Sequence, residues 1–192
     1  MNCQFHSNWS IEGECMTKKY KVEVENDYCG YKYVIVLTRM GHRCGYVGVD
    51  KNHPLYGHEY DEKIECLRRK DIENNEIGKR GVFDLFLADW STDEVTPSLY
   101  FDVHGGITYA GGGNNYPIES DLWWYGFDCA HCGDAGDLDL AYEYGLVTEA
   151  YKNSIQSTDA IYPTGGVVRS LGYVARECKS FIDQILKLGG GL

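Results

Sequence analysis

From Thr164 the chain reads TGGVVRSLGYVARECKSFIDQILKL, and its apolar residues recur three or four positions apart: Val168, Leu171, Val174, Cys178, Phe181, Ile182, Ile185 and Leu186. That spacing puts them on one stripe of a helix predicted over about 166–188. Gly189 to Gly191 then supply the residue type that ends helices. A helix with a single apolar stripe needs a surface to cover it, so the rest of the chain must provide one.

The upstream half provides strands. KYKVEVE (19–25) alternates polar and apolar residues, the period-two pattern of a half-buried strand. The NDYCG turn leads into YKYVIVLTRM (31–40), which predicts a second, more buried strand. A turn over Gly41–Gly45 returns the chain as a third strand around Tyr46 to Val49, giving an antiparallel meander. GVFDLFLADW (81–90), SLYFDVHGG (98–106), ITYAGGGNN (107–115, a short strand running into a loop) and LWWYGFDCA (122–130) are read as further strands. EYDEKIECLRRKDIENNEIGKR (59–80) is a charged surface excursion, and 134–164 is a polar loop with a turn of helix. The expected class is α+β: a mostly antiparallel sheet with the C-terminal amphipathic helix packed on it, in one domain over 1–192.

Charge removes one class of function. Twenty-nine acidic against 18 basic residues give a net charge of −11, which repels a phosphate backbone and argues against bulk nucleic-acid binding. A small anion remains compatible, because a few oriented N–H groups and arginines act locally. The N-terminal MNCQFHSNWSIEGECM lacks the basic and apolar regions of a signal peptide, and no apolar run approaches the roughly 20 residues of a membrane span. The expectation is a cytoplasmic protein without membrane contact, its eight cysteines reduced. An antiparallel sheet leaves homo-oligomerisation open.

Four constellations carry chemistry. In Asp102-Val103-His104-Gly105-Gly106, strand alternation would put Asp102 and His104 on one face, as an acid/base pair or metal ligands. Gly105 and Gly106 would bring backbone N–H groups to an anion. The competing reading is a glycine turn beside a structural histidine. In DLWWYGFDCAHCGD (121–134), Cys129 and Cys132 have zinc-site spacing but no second pair. GDAGD after them is a poor helix start for a redox motif. Any metal would draw on some of Asp102, His104, Asp128, Cys129, His131 and Asp134. Trp123 and Trp124 lie on opposite faces of their strand, so one is core and the other is free to stack on a base. His53, held extended before Pro54, could aim into a cleft near Lys51, Arg43 and Arg39; an exposed turn histidine is the competing reading.

GYVGVDKNHPLYG (45–57), FDVHGGITYAG (101–111), DLWWYGFDCAHCGD (121–134) and RSLGYVARECKSFIDQI (169–185) together resemble a family of small bacteriophage- and prophage-encoded proteins. The blocks span most of residues 45 to 185. The resemblance implies a phage setting, inside the infected cell's cytoplasm, and brings forward anti-defence proteins that capture or degrade nucleotide second messengers. Cyclic dinucleotides and ADP-ribose derivatives are the ligand classes it suggests.

The expected function is sequestration of such a nucleotide-like molecule. Trp123 or Trp124 would stack on a base, Gly105 and Gly106 would contact phosphate, and His104, Asp102, His53 and Asp128 would add polar contacts. The alternatives are a divalent-metal hydrolase, with His104, Asp102 and His131 as catalytic groups, and a module that blocks a host protein. Both site readings require that 102–106 and 128–134 face one cleft.

Overall fold

The computed structural model describes residues 19–68, 93–113, 115–161 and 165–189. The expected meander forms: β1 (Tyr20–Tyr28), β2 (Tyr31–Thr38) and β3 (Arg43–Val49) pair antiparallel. Short pairs β4 (Ile64–Arg68) with β5 (Glu94–Val95) follow, then helix α1 (Pro97–Tyr100). β6 (Tyr109–Gly112) and β7 (Trp123–Asp128) extend the meander into a five-stranded antiparallel sheet, in the order β1-β2-β3-β7-β6. β8 (Asp134–Ala135), α2 (Leu138–Glu143), α3 (Glu149–Ile161), β9 (Val167–Val168) and α4 (Leu171–Gly189) complete the described chain. The architecture is α+β, as the sequence pattern predicts.

Strand alternation divides the core. Tyr33, Ile35, Val47, Val49, Tyr125 and Phe127 meet Val174, Cys178, Phe181, Ile182 and Ile185 of α4. Val34, Val36, Tyr46 and Trp124 point to the opposite face, under Tyr20, Tyr109, Tyr116, Ile118 and Leu122. Both faces of β2 are therefore covered, which is why its sequence is continuously apolar. α4 lies over β3 and β2. It comes close at Gly45, where a Cβ would sit 2.6 Å from Phe127 Cζ and 2.7 Å from Cys178 Sγ.

Several expectations are corrected. No strand runs over 98–106: Thr96 caps α1 by accepting from the Leu99 N–H, and an extended loop carries 101–108. The polar 134–164 stretch holds two helices, because Leu138, Ala141, Leu146 and Val147 are buried, the last three packing against Leu37. The C-terminal helix begins at Leu171, since Val167 and Val168 pair with β8 and are exposed. Leu186 is also exposed, so the buried stripe is narrower than the periodicity implies. Ile64–Arg68 of the charged excursion is a strand, with Ile64 and Leu67 buried. The strand read at 81–90, the excursion beyond 68 and the first 18 residues lie outside the described residues. Among the described residues no helix is long and apolar enough to cross a membrane.

Candidate metal centre

Three side chains of α4 explain why 102–104 is held without a neighbouring strand. Tyr173, Glu177 and Gln184 fall within roughly 40° of one another at 100° per residue. Gln184 accepts the Asp102 N–H (2.8 Å) and donates to the Asp102 carbonyl (2.7 Å). Glu177 accepts the His104 N–H (3.0 Å), and the Tyr173 hydroxyl lies 3.0 Å from His104 Nδ1. The backbone groups that a sheet would satisfy are satisfied by this polar line instead. The Ser170 hydroxyl accepts the Tyr173 N–H, as N-terminal caps do.

The second segment follows β7. Asp128 accepts from Thr108 Oγ1 and the Ala130 N–H, both at 3.0 Å. The Cys129 N–H donates to the Arg43 carbonyl, and His42 Nδ1 bonds the Cys129 carbonyl at 2.7 Å. Asp134 then folds back: its Oδ2 accepts the His131 N–H at 3.0 Å, while its own N–H donates to the His131 carbonyl.

The two segments meet at Asp134. Its fully buried carboxylate accepts from His104 Nε2 (2.8 Å) and from Arg169 Nε (2.7 Å). Burial alone would push this carboxyl up, but the bonds from His104, Arg169 and the His131 N–H outweigh it and hold it below the usual carboxylate range. Arg169 is fixed from behind. The buried Arg43 guanidinium forks onto Glu23 (2.7 and 3.0 Å) and donates to the Arg169 carbonyl (3.0 Å). Burial and Glu177 push the Tyr173 phenol up, so it stays a hydroxyl at neutral pH.

His131 completes the cluster. Its ring is 36% exposed, yet its Nδ1 is buried and has no hydrogen-bond partner. That nitrogen lies 4.0 Å from Asp134 Oδ2 and 3.7 Å from Asp128 Oδ1. Among the described residues, His104, His131 and Asp134 form the one group whose donor atoms converge, all within 4.8 Å of one another. Two imidazoles and a carboxylate suit zinc or another divalent transition metal. Tetrahedral coordination would separate donors by roughly 3.4 Å. The 2.8 Å separation of His104 from Asp134 would therefore open and the 4.0 Å separation of His131 from Asp134 would close, with the third separation, within 4.8 Å, adjusting to match. Tyr173 on the far nitrogen of His104, and Arg169 on the second oxygen of Asp134, stand where outer partners orient metal ligands.

Gly105 is needed here for space. At φ +69°, a Cβ on it would lie 2.1 Å from Cε1 of the His131 ring. Gly105→Ala is expected to cost about 1–3 kcal/mol in backbone strain alone and to displace His131. A lowered melting temperature together with loss of metal binding checks this.

The sequence-derived site residues separate into two groups. His104, Gly105, Asp128, His131 and Asp134 come together, with Asp102 braced beside them through its backbone. The Gly106 N–H donates to Val103 and closes a turn, so it is spent within the loop. Trp123 and Trp124 lie at the opposite end of β7, where Trp123 pairs with Val49 while Asp128 pairs with Cys44. Five residues of strand put Trp123 roughly 17 Å from Asp128. Trp124 is buried and donates to Ser120; Trp123 donates to the His58 carbonyl and packs near Tyr56. His53 accepts the Leu55 N–H and meets the Tyr31 ring edge-on. Arg169, Tyr173, Glu177 and Gln184 were not anticipated; their near-helical repeat of polar residues beside the apolar stripe is the signal that marks them.

Cys129 and Cys132 are free thiols, the first buried and the second exposed. Burial pushes the Cys129 and Cys44 thiols up to about 12. Alkylation of the native protein at pH 8 is expected to mark Cys132 and Cys29, and to reach Cys44, Cys129 and Cys178 only after denaturation. Peptide mass mapping checks it, and a Cys129–Cys132 disulfide would instead protect Cys132.

Comparisons with family models, with curated proteins and with solved structures give no match to this chain. What fold and site define is therefore a class: an α+β protein carrying a two-histidine, one-carboxylate cluster at one end of its sheet.

Proposed function

We propose that this chain is a divalent-metal hydrolase acting on a phosphate ester, of the nucleotide kind that a phage-encoded anti-defence protein would meet. The observation that carries the reading is the unpartnered, buried Nδ1 of His131, beside a second imidazole and a carboxylate. A buried polar atom without a partner costs about 1–3 kcal/mol, and a cation coordinated there would relieve that cost. Three protein donors leave a metal open positions for water and substrate. Such an ion would lower the pKa of bound water toward about 7, and Asp128, whose Oδ1 lies 3.7 Å from His131 Nδ1, would stand beside it as a proton acceptor. In a chain of net charge −11 the ion would also supply the positive charge that an anionic substrate needs.

Nucleotide sequestration on an aromatic wall has less support, because Trp123 and His53 are remote from the cluster and Trp124 is buried. The test incubates metal-loaded protein with cyclic dinucleotides and ADP-ribose derivatives and follows products chromatographically. Metal-dependent product formation, lost in His104→Ala, is the expected result. Intact ligand recovered from heated protein would replace hydrolysis by sequestration. Neither binding nor turnover across the panel would remove the nucleotide reading.

A further inference from the structure

We infer that Tyr173 is the positioning residue that lets this site alternate between a proton-held and a metal-held form, by serving both tautomers of His104. The inference rests on the metal reading above.

The two ring nitrogens of His104 face partners of different character. Nε2 lies 2.8 Å from Asp134 Oδ2, and Nδ1 lies 3.0 Å from the Tyr173 hydroxyl. A carboxylate only accepts, so without metal Nε2 carries the hydrogen; Nδ1 of the neutral ring is then an acceptor, and the hydroxyl must donate to it. A metal between His104, His131 and Asp134 takes the Nε2 lone pair. The ring hydrogen then belongs on Nδ1, and the hydroxyl must accept it. On metal entry one proton leaves Nε2 for solvent, one from solvent joins Nδ1, and the hydroxyl turns; His104 gains and loses none overall.

A carboxylate or carbonyl at this position would serve only the metal-held tautomer, and an ammonium only the proton-held one. A hydroxyl serves both. The phenol is also held in place: its ring meets His104 edge-on at 5.6 Å, and the Arg169 guanidinium lies over it at 5.1 Å. Rotation of the O–H bond is thus the one adjustment the outer partner has to make.

The experiment records long-range proton–nitrogen spectra of histidine-labelled protein, without metal and with one equivalent of Zn(II). Wild-type His104 is expected to pass from the Nε2–H to the Nδ1–H tautomer. Tyr173→Phe, which keeps the ring and its packing, is expected to bind zinc about 10–100-fold more weakly. The metal-free variant should still fold cooperatively and melt only a few degrees lower, as the loss of one hydrogen bond to His104 Nδ1 requires. Wild-type zinc binding together with unchanged affinity in Tyr173→Phe would overturn this inference alone. An Nδ1–H tautomer in metal-free wild type would overturn it without any variant. No zinc-linked change at His104 or His131 in wild type would overturn the metal reading and this inference with it.

Discussion

His131→Ala is expected to abolish tight metal binding, by 100-fold or more, while leaving the fold intact. Removing one of three ligands takes away a coordinate bond that water replaces poorly. The stability cost is small for a specific reason. The ring is partly exposed, its Nδ1 makes no hydrogen bond, and the contact that organises the loop comes from the backbone N–H, which alanine keeps. Chemical denaturation should place the metal-free variant within about 1 kcal/mol of wild type. A large loss of stability would mean that the ring is a structural wedge above Gly105.

Asp134→Ala is expected to do the reverse and damage both properties. Its carboxylate ties together Arg169, His104 and the His131 N–H, and it is fully buried. Truncation leaves a guanidinium and a backbone N–H facing an apolar side chain. Removing one partner of a buried ion pair costs about 3–5 kcal/mol. Arg169 retains 30% exposure and water can reach it, so this case falls below that range. Leaving the donors on the Asp134 side unpaired costs about 1–3 kcal/mol, or roughly 2–12 °C in melting temperature for a chain of this length. Thermal unfolding of the metal-free proteins measures it; a shift under 2 °C would show that water replaces the carboxylate freely.

The difference between these variants shows which parts of the structure could be read in advance. Period-two alternation placed Trp123 and Tyr125 on one face of β7 and Trp124 on the other, and the C-terminal stripe located α4. Those signals are local, and burial enforces them. The DVHGG segment was legible as chemistry but not as conformation. Its backbone is satisfied by Gln184 and Glu177, 82 and 73 residues later in the chain than Asp102 and His104, which no local pattern reports. The approach of 102–106 to 128–134 likewise depends on tertiary contacts, Asp134 with His104 and Gly105 under His131. The aromatic residues lie away from the cluster for a geometrical reason: residues adjacent in sequence on an extended strand are spread along it, and five positions separate Trp123 from Asp128. Arg169 went unread because it follows a two-residue strand inside what looked like the first turn of a helix.

Calorimetric titration of metal-free protein with Zn(II) tests the central claim most directly. It is best done in a Cys132→Ser background, so that the exposed thiol near the site does not compete. One zinc per chain at submicromolar affinity is expected, with binding lost in both His104→Ala and His131→Ala. Absence of saturable binding, or binding undiminished in those two variants, would contradict the account.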